Sequence, residues 1–235
     1  MNFDGVARLQ VAVVARADRL GGRRHFGGAQ VLAHVALVAA VVARVAFSGD
    51  HTNFLERTAK IQAGLIVCVY CLSFAPAMLD LNLVDSVDRP WPHNQLLLFY
   101  LIFIVQMGDA LSFVWSRFYG KHVIAPAISP NKTWEGFLGG VGSTSLLGGA
   151  LWWATPFNWW QAASMSMIVA VLGFSGGMVM SAIKRDRGVK DYGTLVTGHG
   201  GVLDRLDSLC FATPVFFQLT KFFFSSGAVE LLPIR

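Results

Sequence analysis

Charge is scarce in this 235-residue chain: Asp, Glu, Lys and Arg together make up 14%, against about 25% in an ordinary soluble domain. That scarcity excludes a disordered polar chain and argues against a plain soluble enzyme. Cysteine is scarcer still, and three cysteines cannot form a disulfide framework. Lysine is missing from the first fifty residues, which hold six arginines. Apolar residues are plentiful: 54% are hydrophobic, with 18 Phe, 7 Trp and 24 Gly, and the mean hydropathy is +0.52. Abundant glycine and aromatic residues are expected where helices pack closely in lipid. The net charge of +5 does not indicate nucleic acid, because the basic residues flank apolar stretches. There they set topology and meet anionic lipid or phosphate.

A helix needs about 20 mostly apolar residues to cross a bilayer. Ile61–Leu79, Gln95–Phe118, Gly136–Ala154 and Ala162–Ile183 qualify, and Leu206–Phe224 is a shorter, Phe-rich fifth candidate. Ala29–Phe47 is apolar but broken by His34 and Arg44, so it could either span or lie on the surface. The links alternate in charge. Residues 80–94 hold Asp80, Asp85 and Asp88 against Arg89, residues 155–161 are uncharged, and residues 184–205 hold five Lys or Arg. The positive-inside rule then puts 49–60, 119–135 and 184–205 on the cytoplasmic side. The expected fold is all-α: a polytopic transmembrane helical bundle of about five to six spans, with its active site at the cytoplasmic face. The composition shift near residue 50 divides the chain into an atypical Arg/Ala/Val-rich segment, 1–50, and a transmembrane domain, 51–235.

The chemistry concentrates in Ser181–Asp207. Nine of the chain's 33 charged residues fall in positions 184–207, five basic and four Asp. That mixture suits a metal–polyphosphate complex, with carboxylates for Mg²⁺ and cations for phosphate oxygens. Gly198-His199-Gly200-Gly201 reads as a turn before a helix, able to aim backbone N–H groups at an anion. Asp204 and Asp207 follow at i and i+3, on one helix face. Upstream, Asp109 lies inside an apolar span, where an ionisable group is costly and points to function. In Ser129-Pro130-Asn131-Lys132, Ser129 is expected to N-cap the next helix with Pro130 at its first position, placing Lys132 at a helix start. Cys68-Val-Tyr-Cys71 reads as packing or lipid contact, because it sits in an apolar span without a second ligand pair. The Phe-rich stretch 216–224 reads as membrane surface. His25, His34, His51, His93 and His122 show no convincing partner in the sequence.

Ser181, Lys184, Arg185, Lys190, Asp191, Gly193, His199, Gly200, Gly201, Asp204, Arg205 and Asp207 resemble the signature of the phosphatidate cytidylyltransferase (CDP-diacylglycerol synthase) family. Two positions depart: Val196 stands where Leu, Ile or Phe is usual, and Thr197 where Pro or Gly is usual. Gly120-Lys121 and the run Pro126 to Gly136, through Ser129-Pro-Asn-Lys-Thr-Trp-Glu, resemble a second segment of the same family. The resemblance covers roughly residues 51–235, with a divergent bacterial branch the nearest in pattern. Members usually carry more N-terminal spans, so a shortened or replaced N-terminal part is expected.

The resemblance implies that CTP and phosphatidate yield CDP-diacylglycerol and pyrophosphate for phospholipid synthesis at a bacterial cytoplasmic membrane. It implies Mg²⁺ held by Asp109, Asp204 and Asp207, with Asp191 beside them. Lys184, Arg185, Lys190, Arg205 and Lys132 would meet phosphate groups, and His199 would orient them. Ser129, Thr133, Ser181, Gly198, Gly200 and Gly201 complete the implied substrate contacts. The implied partners are CTP, phosphatidate and membrane lipid, with no nucleic acid; a homodimer is left open. A CTP-dependent lipid or polyprenol kinase, a transporter using Asp109, and a non-catalytic membrane relative remain alternatives. A CDP-alcohol phosphatidyltransferase is disfavoured because its Asp-Gly-x-x-Ala-Arg motif is absent.

Overall fold

The computed structural model describes residues 35–40, 42–43, 53–85, 89–186, 188–189 and 203–224, apart from the side chains of Cys68, Leu203, Asp204 and Arg205. The described residues are mostly helical. The chain divides into two compact units, Met1–Ser73 and Phe74–Arg235.

In the first unit, residues 35–40 and 42–43 are helical. Helix α1 runs Phe54–Leu65 after Asn53, whose φ of 53° is left-handed, a conformation Asn tolerates better than most residues. Lys60 pairs with Glu56 one turn before it. Leu37 and Leu65 form a small apolar cluster with Ile61 and Val69. A π-helical turn, Ile66–Cys71, then leads into α2, Leu72–Ala77, which begins in the first unit and ends in the second, where it contains Pro76. Pro76 has no N–H for the carbonyl one turn before it, a gap of the kind that irregular turns accommodate.

In the second unit, a short hairpin pairs β1 (Leu83–Val84) with β2 (Pro90–Trp91). Asp85 and Arg89 close it with an ion pair of 3.0 Å. Among the described residues, four helices follow: α3 (Asn94–Tyr119), α4 (Trp134–Ala150), α5 (Trp159–Asp186) and α6 (Leu203–Phe224). Between α3 and α4, strand β3 (Val123–Ala125) pairs antiparallel with β4 (Ser129–Thr133). Successive helices pack side by side, α3 on α4, α4 on α5 and α5 on α6. Glycines allow the first of these contacts: a Cβ at Gly136 or Gly140 would collide with Ser116 or Ser112 of α3. Polar cross-links then fix the helices. The buried Tyr100 hydroxyl meets Ser166 Oγ at 2.7 Å and donates to the Ala162 carbonyl at 2.9 Å, while Trp115 Nε1 donates to Ser143 Oγ at 2.9 Å. Such interhelical bonds carry packing that the hydrophobic effect cannot supply in lipid.

Among the described residues, three helical stretches are long and apolar enough to cross a bilayer: Phe54–Asp80, Asn94–Tyr119 and Trp159–Asp186. They mark a multi-pass membrane protein. The two other expected spans also fold as helices. Helix α4 has 17 residues, because the chain leaves it at Leu151 for a 3-10 turn at Trp152–Ala154. Helix α6 begins at Leu203, so it takes in charged positions at its start.

Two local expectations are corrected. Ser129 and Pro130 do not start a helix; they open strand β4. The cap is Thr133, whose hydroxyl accepts from Gly136 N at 3.1 Å, and a backbone bond from Trp134 N to the His122 carbonyl keeps the preceding residues in the hairpin. The Phe-rich stretch is only partly surface. Phe216, Phe217 and Phe224 are buried, and Phe157 packs on Phe216 and Phe224, while Phe222 and Phe223 are exposed. Helical rotation splits one apolar run between core and periphery.

Candidate active site

Four elements of the second unit converge at one end: the C-terminal halves of α3 and α5, the first turns of α6 and the β3–β4 hairpin. They enclose a cavity of about 290 Å³. Asp109 from α3, Lys132 from β4 and Asp207 from α6 all line it. Ser112, Ser129, Ser181 and Ser208 add hydroxyls, Gln106 and Asn131 add amides, and Phe113 and Phe174 make the apolar walls. The lining therefore offers carboxylate, hydroxyl and amide oxygens with no thiol or imidazole, the donor chemistry of a hard cation. Among the described residues, no three His, Cys, Asp or Glu side chains form a metal-binding group.

Lys132 enters from the hairpin and ends against α5. Its Nζ donates to the Phe174 carbonyl at 3.3 Å and lies 4.5 Å from the centroid of the Phe174 ring. The room it uses exists because residue 177 is glycine: a Cβ there would sit 2.8 Å from Lys132 Nζ and 3.1 Å from Ser208 Oγ. Burial pushes the Lys132 amine below the usual lysine range, and the nearby Lys184 adds to that, while the Asp109 and Asp207 carboxylates oppose it. Lys184 Nζ stands 3.9 Å from Asp207 Oδ2, both side chains being mostly buried. Two carboxylates and one ammonium group thus line the pocket, with the Lys184 ammonium beside it on Asp207. The site can hold both a cation and an anionic group without a large net charge.

The hairpin that delivers Lys132 is tied down at its mouth. Glu135 Oε2 accepts from the backbone N–H of Lys121 at 3.1 Å and of His122 at 3.2 Å, and Glu135 Oε1 meets His122 Nδ1 at 2.6 Å. The His122 contact first, and then the backbone N–H groups, hold the Glu135 carboxyl down to about 2. Thr133 Oγ1 donates to Ser116 Oγ at 3.1 Å, joining the hairpin to α3. Gly120 permits this approach, since a Cβ there would meet the Ser116 carbonyl and lie 2.9 Å from the Thr133 side chain.

Of the residues singled out from sequence, Asp109, Ser129, Lys132, Ser181 and Asp207 line the cavity, and Lys184 borders it through Asp207. Ser181 Oγ donates to the Gly177 carbonyl at 2.6 Å. Thr133 is buried as a helix cap and is not part of the lining. Arg185 Nε donates to the Ile128 carbonyl at 3.3 Å, outside the lining, so it braces the hairpin turn. Asp204 and Arg205 occupy the first turn of α6, with side chains outside the described residues. Lys190, Asp191, Gly193, Gly198, His199, Gly200 and Gly201 also lie outside them. Sequence reasoning missed Gln106, Ser112, Asn131 and Ser208, which are unremarkable polar residues until the fold gathers them. It missed the His122–Glu135 pair as well, although Glu135 follows Lys132 by three residues in the same motif.

Comparison of the sequence with known proteins places the chain in a family. Protein YnbB of Escherichia coli (strain K12), itself uncharacterized, is 40% identical over 177 residues, which are 74% of this chain and 57% of that protein. Phosphatidate cytidylyltransferase of Staphylococcus aureus (strain COL) is 39% identical over 118 residues, 49% of this chain and 45% of that enzyme. The enzyme of the same name from Staphylococcus saprophyticus is 38% identical over 123 residues, covering 50% and 47%. The chain spans about half the length of the curated relatives it matches. The profile of the Cytidylyltransferase family matches residues 13–223, nearly the whole chain, and the chain belongs to that family.

Proposed function

We propose that this protein transfers the cytidylyl group of CTP to phosphatidate, giving CDP-diacylglycerol and pyrophosphate, at a bacterial cytoplasmic membrane. The observation that carries this reading is the meeting of Asp109, Lys132 and Asp207 in one cavity of a chain belonging to the cytidylyltransferase family. The likeness to relatives named phosphatidate cytidylyltransferase supports the choice of lipid. The apolar spans support a substrate that keeps its acyl chains in the bilayer while CTP arrives from water.

The phosphatidate phosphate is already anionic and needs no strong general base. One of its oxygens attacks the α-phosphorus of CTP, the new P–O–P bond forms, and the bond to the β-phosphate oxygen breaks. Pyrophosphate leaves with that electron pair. Repulsion among phosphates and the charge on the leaving group are the obstacles, so positioning and charge neutralisation do most of the catalysis. Lys132 and Lys184 would neutralise phosphate oxygens, with Arg185, Lys190 and Arg205 supplying further positive charge from the same segment. The hydroxyls of Ser129 and Ser181 would hydrogen-bond phosphate. Gly198, His199, Gly200 and Gly201 would close over it. Asp109 and Asp207, with Asp204 one turn earlier on α6, would hold Mg²⁺, with Asp191 nearby; the carboxylate, hydroxyl and amide oxygens of the lining fit that ion. Bound there, Mg²⁺ supplies positive charge that stabilises the departing pyrophosphate.

The test is product analysis in detergent with CTP and Mg²⁺, offering phosphatidate and, in a parallel reaction, a polyprenol or other lipid alcohol. Pyrophosphate together with a CDP-lipid supports the transferase. Release of CDP with a phosphorylated lipid would mean a CTP-dependent kinase, and absence of CTP consumption would mean a transporter or a non-catalytic relative.

A further inference from the structure

Lys132 can act only where the hairpin puts it, and the hairpin has few restraints of its own. Strands β3 and β4 pair over three and five residues with an irregularity between Val123 and Ala125. A ribbon of that size is not stable in isolation. Its mouth, where the chain leaves α3 and enters α4, therefore joins the Arg185 brace at the turn in deciding where its residues lie. One side chain gathers that mouth. The Glu135 carboxylate spends one oxygen on two successive backbone N–H groups, Lys121 and His122, and the other on the His122 ring. Glu135 stands in the first turn of α4, so the residues just before β3 are tied to the helix that follows β4. The tie lies three residues from Lys132, and Glu135 does not line the cavity.

We propose that Glu135 is a positioning residue: its carboxylate, clasping Lys121 and His122, fixes the β3–β4 hairpin so that Lys132 is held in the Asp109–Asp207 cavity. The part of this inference that concerns substrate rests on the function proposed above; the clasp itself does not. An acceptor oxygen, rather than a negative charge, is what the two backbone N–H groups require. Gln at this position keeps that oxygen and can offer its amide to the His122 ring, whereas Ala keeps neither.

The experiment uses the full chain in detergent, as wild type, Glu135→Ala and Glu135→Gln, with hydrogen exchange and steady-state kinetics on each. In Glu135→Ala the amides of residues 121–133 should exchange about tenfold faster or more, while those of α5 keep their wild-type rates. Its KM for CTP should rise about tenfold with a smaller change in kcat. Glu135→Gln should recover most of both losses. Unchanged exchange at 121–133 in Glu135→Ala overturns the clasp. Faster exchange with unaltered KM and kcat overturns its role in placing Lys132. A Glu135→Gln as damaged as Glu135→Ala overturns the acceptor argument. If the wild type shows no CTP turnover, the proposed function fails and the exchange data alone decide the clasp. If Glu135→Ala does not fold, His122→Ala, which removes one of the three contacts, should speed exchange at 121–133 by a few fold, and no change there overturns the clasp.

Discussion

Lys132 reaches from a hairpin strand to a different element, its Nζ 3.3 Å from the Phe174 carbonyl oxygen of α5 and 4.5 Å from the centroid of the Phe174 ring. A cation so placed is removed from bulk water but left with carboxylates as neighbours, which is a costly arrangement to keep without a use.

That cost sets the first prediction. Burial lowers the Lys132 amine from its usual value. Between its folded value and 10.5 the unfolded chain binds more protons, so stability rises with pH through that window, and below it the charge is a net cost to the fold. Lys132→Met should therefore match or exceed the wild type in melting temperature at neutral pH. Its CTP turnover should fall about 100-fold. A marked loss of melting temperature, or normal turnover, contradicts this.

Gly177 offers a milder perturbation of the same contact. A Cβ there would meet the far end of the flexible Lys132 side chain at 2.8 Å rather than backbone. Gly177→Ala should thus displace the amine while gaining helix propensity of up to about 1 kcal/mol. Thermal melting should show equal or greater stability, and kinetics should show a KM for CTP raised about tenfold. Unchanged kinetics would mean that the position of the amine does not matter.

Acid should loosen the hairpin before it loosens the bundle. Glu135 has its carboxyl held down to about 2 from 4.5. A carboxyl depressed in the fold contributes stability that is complete above its unfolded value and is lost as pH falls through the folded one. The window is therefore from about 4.5 down to about 2. Protease cleavage or hydrogen exchange within 121–133, corrected for intrinsic rates, should accelerate across that window, and Glu135→Gln should flatten the response.

Much of the site was legible because it breaks the pattern around it. Asp109 is the one acidic residue in an apolar helix of 26 residues, and the charge density of 184–207 stands out in a chain that is 14% charged. Lys132 was legible as a candidate site residue, and it does line the cavity, but its local setting was not legible. Ser129-Pro130 is a plausible helix start in isolation, and it loses to Thr133 because pairing with β3 holds residues 129–133 extended. Ser208 and Gln106 gave no signal at all. A serine or glutamine in a helix is ordinary, and only tertiary packing turns these two toward Asp109 and Asp207. His122 looked solitary because its partner, Glu135, lies thirteen residues away across the hairpin. In the fold, hydropathy located the helices but could not divide core from lipid, which is why Phe216 and Phe222, both apolar, end on opposite sides of that division.

If the carboxylates of this cavity serve a CTP-dependent, Mg²⁺-requiring transfer, pyrophosphate release from CTP with phosphatidate depends on them. The rate of that release, titrated with Mg²⁺, separates the wild type from Asp207→Asn. The expected result is a Mg²⁺-dependent rate in the wild type that drops about 100-fold or more in Asp207→Asn, with melting temperature and membrane insertion retained. Undiminished pyrophosphate release by Asp207→Asn at every Mg²⁺ concentration would contradict the account.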